Sequence, residues 1–119
     1  MFSEQVLDHF QNPRNAGEVE APNAIAELQN PVCGDVLRFT ARIVDGRIEA
    51  IRFRAKGCVA SMACASRLTE MVQGRTLAEA RALGREELVQ GLGGLPEASA
   101  HAAQLAIDGL QQLVKRREG

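Results

Sequence analysis

Two cysteines stand where the chain is about to change direction. Asn30-Pro31-Val32-Cys33-Gly34-Asp35 precedes an alternating apolar run, and Lys56-Gly57-Cys58 closes the following one, 25 residues beyond Cys33. Pro, Gly and Asp make the first segment a turn, so Cys33 is expected at a strand entrance. Cys58 opens an alanine-rich helical stretch over 59–73. A helix N-terminus carries unpaired N–H groups and partial positive charge, which favour thiolate over thiol. With the carboxylate of Asp35, two thiolates at adjacent ends of a hairpin would make a cluster or metal corner. A lone cysteine also reads as a small buried hydrophobe. These two differ in flanking the periodic segments, whereas Cys64 shares a helix face with Leu68 and Met71 and is expected in the core. The other reading of Cys64 is a relocated thiolate ligand, although six helical residues from Cys58 is a rise of roughly 9 Å. His101, in the first turn of the last helix, is a further candidate ligand. His9 has no partner in view and reads as a surface residue.

The elements that would hold these residues follow from periodicity. Ser3 is expected to N-cap a helix to about residue 11, with Val6, Leu7 and Phe10 on one side, stopped by Asn12-Pro13. Residues 24–29 read as a first strand. Leu37, Phe39, Ala41 and Ile43 alternate with Arg38, Thr40 and Arg42, as in a half-buried strand. Asp45-Gly46 is a hairpin turn, and the return strand over 47–55 breaks phase between Ile48 and Ile51, where a bulge is expected. Thr76-Leu77-Ala78-Glu79 is a capping box that starts a short helix ending near Gly84. A further turn spans 85–90, a glycine-rich loop 91–96, and a last helix 98–116. Strands first and helices afterwards indicate one α+β domain over 1–119, with helices packed on one face of a small antiparallel sheet of about three strands. Arg38, Arg42, Arg52 and Arg54 read as a solvated sheet surface, or as a dock for an acidic partner.

Composition narrows the function classes. A chain of 119 residues with net charge −1 carries no global field toward nucleic acid, and four Phe with no Trp or Tyr leave little for stacking bases. No run of apolar residues is long enough to span a membrane, and no secretory leader is evident. Three cysteines are an odd number. Without an export signal they are expected to be reduced thiols in a cytoplasmic protein.

Several motifs in order resemble the U-type iron–sulfur cluster scaffold family, IscU and the N-terminal domain of NifU. The opening 2–17, with its Asn12-Pro13-Arg14-Asn15 stop, is similar to the family's first helix. Cys33-Gly34-Asp35 matches its first ligand motif, Gly57-Cys58 and the small-residue helix its second, and 69–74 with 76–80 the stretch beyond. The resemblance implies a scaffold, not an enzyme. Such a protein takes sulfur from a cysteine desulfurase, binds iron, assembles a [2Fe–2S] cluster and passes it to recipient apo iron–sulfur proteins. It also implies a ligand set of Cys33, Asp35, Cys58 and His101, with Cys64 as the weaker candidate. Soft thiolates suit iron and sulfide, and the carboxylate and imidazole are weaker ligands suited to release.

The chain departs from that family at Ala102, where the third cysteine is expected, and its 95–99 loop lacks the Leu-Pro-Pro-Val-Lys motif read by a dedicated Hsp70 chaperone. A cluster bridged between the subunits of a homodimer would answer the shortage of thiolates. Two alternatives share the fold: a zinc-bound sulfur acceptor, and a desulfurase-binding module that assembles no cluster. A thiol enzyme with Cys58 as nucleophile and His101 as base is the remaining class, but no third, orienting group is evident.

Overall fold

The computed structural model describes residues 2–31 and 34–115. Three antiparallel strands, β1 (Ala24–Gln29), β2 (Val36–Val44) and β3 (Arg47–Lys56), lie in the order β1-β2-β3. Side chains alternate across a strand, so Leu37, Phe39 and Ala41 fall on one face with Ile51 and Phe53, and all are buried. Phe39 is paired directly with Phe53. Asp45 and Gly46 both take positive φ, 52° and 75°, as the hairpin turn requires. The expected break of phase is a bulge: Ile43 pairs with Ile48 and Arg42 with Ala50, leaving Glu49 as the extra residue.

Five helices follow the sequence reading closely: α1 (Glu4–Gln11), α2 (Val59–Val72), α3 (Leu77–Ala82), α4 (Arg85–Gly91) and α5 (Ala100–Lys115), the last entered through a 3₁₀ turn at Glu97–Ser99. The long helices α2 and α5 cover the apolar face of the sheet, α2 against β3 and α5 against β1 and β2. Gly109 sets how closely α5 lies. A Cβ there would come 2.9 Å from the Phe39 ring, so any larger residue forces helix and sheet apart. Short caps fix the other helices. Ser3 Oγ accepts from the Val6 N–H at 3.1 Å, and the Thr76–Glu79 capping box forms in both directions.

The reading of α1 is corrected by the structure. On α1 the buried residues are Val6 and His9, while Leu7 and Phe10 are exposed. His9 is therefore no surface residue. Its Nδ1 lies 2.7 Å from Ser66 Oγ on α2, and its Nε2 lies 3.3 Å from Glu70 Oε1. Since a carboxylate only accepts, the network assigns Nε2–H as donor to Glu70 and Nδ1 as acceptor from the Ser66 hydroxyl. Ser66 Oγ in turn accepts the Arg14 N–H. The arginine face is solvated as expected, with Arg52 and Arg54 exposed, and its guanidinium groups also find partners on the protein. Arg38 and Arg54 both reach Glu18, Arg38 also reaches Glu27, and Arg52 donates to the Ala16 carbonyl. These arginines bind the connector that follows α1 across the outer face of the sheet, where the Val19 N–H donates to Thr40 Oγ1.

A pH prediction follows from α1. Burial, aided by the nearby Arg14 charge, holds the His9 pKa below its usual 6.5, although Glu70 pulls the other way. Neutral imidazole is thus the folded form, and the unfolded chain takes up the proton first. Stability from this group is present above pH 6.5 and is lost as pH falls through the lower folded-state value. Urea midpoints at pH 7.5 and 5.5 should fall on acidification, and His9→Gln should flatten that slope.

Candidate metal centre

The hairpin and α2 bring two ends of the chain together. Asp35 immediately precedes β2, and Cys58 is the N-cap of α2 just after β3. The turn before Asp35 is closed by two backbone bonds, Gly34 N–H to the Asn30 carbonyl and Asn30 N–H to the Asp35 carbonyl. Register then fixes the approach, because Val36 pairs with Lys56. Gly57 makes room for the carboxylate: a Cβ on it would fall 2.3 Å from Asp35 Oδ1. His101 enters from a third direction, in the first turn of α5.

One oxygen is the meeting point. Asp35, only 4% exposed, presents Oδ2 to Cys58 Sγ at 3.6 Å and to His101 Nε2 at 3.8 Å. The donor atoms of Asp35, Cys58 and His101 all lie within 4.8 Å of one another. A tetrahedral ion with bonds of about 2.0–2.3 Å needs donors separated by about 3.3–3.8 Å. The sulfur–oxygen separation of 3.6 Å already meets that requirement, while the imidazole nitrogen, at 3.8 Å, would move slightly closer to bind with the carboxylate. One sulfur, one imidazole nitrogen and one carboxylate oxygen make a donor set suited to iron or zinc. Cys58 is exposed and makes no side-chain cap to its own helix, so its sulfur is open to the corner.

Cys33 lies outside the described residues. Cys64 does not join the cluster. It is fully buried among the core residues, and burial, helped by the negative charge Cys58 would carry, pushes its thiol up to about 12. Ala102 is 1% exposed, so the residue following His101 turns into the core while His101 stays half-buried.

Ser61 was not singled out by the sequence reading. It is 3% exposed, donates to Asp35 Oδ2 at 2.6 Å and lies 3.3 Å from Cys58 Sγ. Its spacing of three from Cys58 at a helix start was the available signal, since such residues share a face.

The profile of the NifU-like N terminal domain matches residues 1–118. The chain belongs to the NifU-like N-terminal domain family. Among curated relatives, Archaeoglobus fulgidus iron–sulfur cluster assembly scaffold protein IscU 1 is 42% identical over 114 residues, covering 96% of this chain and 74% of the relative. Azotobacter vinelandii iron–sulfur cluster assembly scaffold protein IscU is 34% identical over 118 residues, covering 96% and 91%. The fold agrees with that of a nitrogen-fixing NifU-like protein (N-terminal) from Brucella abortus, at a TM-score of 0.80, 19% identity and coverage of 98% and 95%. The α+β architecture expected from the order of strands and helices is that of the NifU-like domain. Among the described residues no helix is long and apolar enough to cross a membrane.

The glycine beside the acid is open to a direct test. Gly57→Ala would drive the Asp35 carboxylate out of position, since its Cβ meets both Oδ1 and Cγ within 2.5 Å. Zinc affinity, read by competition with a chromophoric chelator, should weaken about 10–100-fold, the usual cost of disturbing a ligand's support.

Proposed function

We propose that this NifU-like domain is an iron–sulfur cluster assembly scaffold. Iron or a [2Fe–2S] cluster is its cargo, held by Cys33, Asp35, Cys58 and His101, fed with sulfur by a cysteine desulfurase and passed to recipient apo-proteins. The observation that carries the reading is the convergence of the Asp35, Cys58 and His101 donors within 4.8 Å of one another, in a chain related to proteins named as such scaffolds. Cys33, two residues before Asp35, would supply the second thiolate. A set of two thiolates, one carboxylate and one imidazole suits a protein that must both hold and release a cluster, because the harder oxygen and nitrogen ligands bind iron–sulfur units less tightly than thiolate.

Zinc is the second occupant favoured by the same donors, since two Cys, one His and one Asp would complete a tetrahedral site. A zinc-loaded protein would then accept sulfur without building a cluster. Anaerobic reconstitution with ferrous iron and sulfide separates the readings. The scaffold reading expects a visible charge-transfer spectrum, stoichiometric iron and acid-labile sulfide, and transfer to an apo-ferredoxin. Retention of zinc with no cluster, alongside persulfide formation by a desulfurase, would select the sulfur acceptor. Desulfurase binding with neither cluster nor persulfide would leave only a docking module.

A further inference from the structure

We propose that Ser61 is a positioning residue for the metal corner, holding Asp35 Oδ2 in its ligating orientation; this rests on reading the corner as a metal site. Three contacts converge on that one oxygen. Cys58 Sγ and His101 Nε2 face it at 3.6 and 3.8 Å, and the Ser61 hydroxyl donates to it at 2.6 Å, the shortest of the three. A carboxylate rotates about its Cβ–Cγ bond unless something stops it. Gly57 leaves space for Oδ1 on one side, and Ser61 fixes Oδ2 on the other. A carboxylate oxygen has two lone pairs, so Oδ2 can accept the serine O–H and still bind an ion.

The placement of Ser61 favours this role over a helix-capping one. It lies in the first turn of α2 and is itself 3% exposed, and the shorter of its hydroxyl's two contacts, the one to Asp35, spans 26 residues. Groups that hydrogen-bond a metal ligand fix its orientation, and losing one typically weakens metal binding 10–100-fold. Serine also keeps the position polar next to Cys58 Sγ, 3.3 Å away, where a larger residue would crowd the ion.

The test is a cobalt(II) titration of four full-length proteins: the parent, Ser61→Ala, Asp35→Ala and the double variant. Far-UV circular dichroism checks the fold, and alanine suits a helix whose neighbours are mostly small. Ser61→Ala should weaken cobalt binding about 10–100-fold while keeping the sulfur-to-cobalt charge-transfer band that Cys58 supplies. On the Asp35→Ala background the same change should cost less than about threefold, because the residue acts mainly through that carboxylate and only secondarily through its contact with Cys58 Sγ. Ser61→Ala binding within about threefold of the parent, or an equal loss on both backgrounds, would overturn the assignment of Ser61 alone. A parent that binds no cobalt, or an Asp35→Ala that binds like the parent, would overturn the metal corner itself and leave Ser61 nothing to position.

Discussion

Cys58→Ser should give a folded protein that retains no cluster, whereas Cys64→Ala should retain it. The two residues share a helix but not an environment. Cys58 is exposed at the helix start with its sulfur beside Asp35 Oδ2, while Cys64 is fully buried with its thiol held protonated by burial. A thiolate is needed to bind iron, and serine offers only a hard, weakly acidic oxygen in its place. Folding should tolerate the change, because Cys58 makes no cap to the helix and serine is itself a favoured N-cap. Iron and sulfide analysis after reconstitution reads the outcome. Full cluster content in Cys58→Ser would remove this residue from the ligand set, and loss in a folded Cys64→Ala would bring the core cysteine into it.

Phe39→Ala should cost about 3–5 kcal/mol, the usual range for emptying a buried aromatic site. Phe39 has no exposed surface, faces Phe53 across the hairpin, and is the ring that α5 approaches at Gly109. Neither neighbour collapses readily into the space, since Phe53 is held in the β2–β3 ladder and Gly109 has no side chain to move. Against a typical stability of about 5–15 kcal/mol, such a loss is a large part of the whole. Urea unfolding gives the number directly, and a loss below about 1.5 kcal/mol would mean that the sheet–helix packing is looser than described. Because the open end of the same hairpin brings Asp35 and Cys58 together, metal affinity should fall with it.

What the sequence made legible is mostly local. Leu37, Phe39 and Ala41 alternate strongly enough to define β2, Asp45-Gly46 marks its turn, and Thr76 with Glu79 marks the start of α3. Asp35, Cys58 and His101 were legible as candidates because each stands at the end of a periodic segment, where chain direction changes. What was not legible depends on contacts far along the chain. His9 looks like any polar helix residue until Ser66, 57 positions away, supplies a partner for its ring. Ser61 sits in a run of alanines and serines that any helix would accept, and only the fold reveals its bond to Asp35. Arg38 and Arg54 were legible as a solvated face, but nothing local shows that Glu18 lies across them.

The position of Ala102 sharpens the chemical question. The residue after His101 faces the core, so at that place this chain offers the corner no thiolate. The proposed cargo must then be held by two cysteines and two harder ligands, or completed by a second protomer.

The most direct test is zinc K-edge X-ray absorption on the protein loaded with one equivalent of zinc. The expected result is a mixed four-coordinate shell, with sulfur at about 2.3 Å and nitrogen or oxygen at about 2.0–2.2 Å, the sulfur contribution falling in Cys58→Ser and an imidazole signature lost in His101→Ala. A shell of oxygen alone, or one unchanged in both variants, would contradict the assignment of Asp35, Cys58 and His101 as the metal centre.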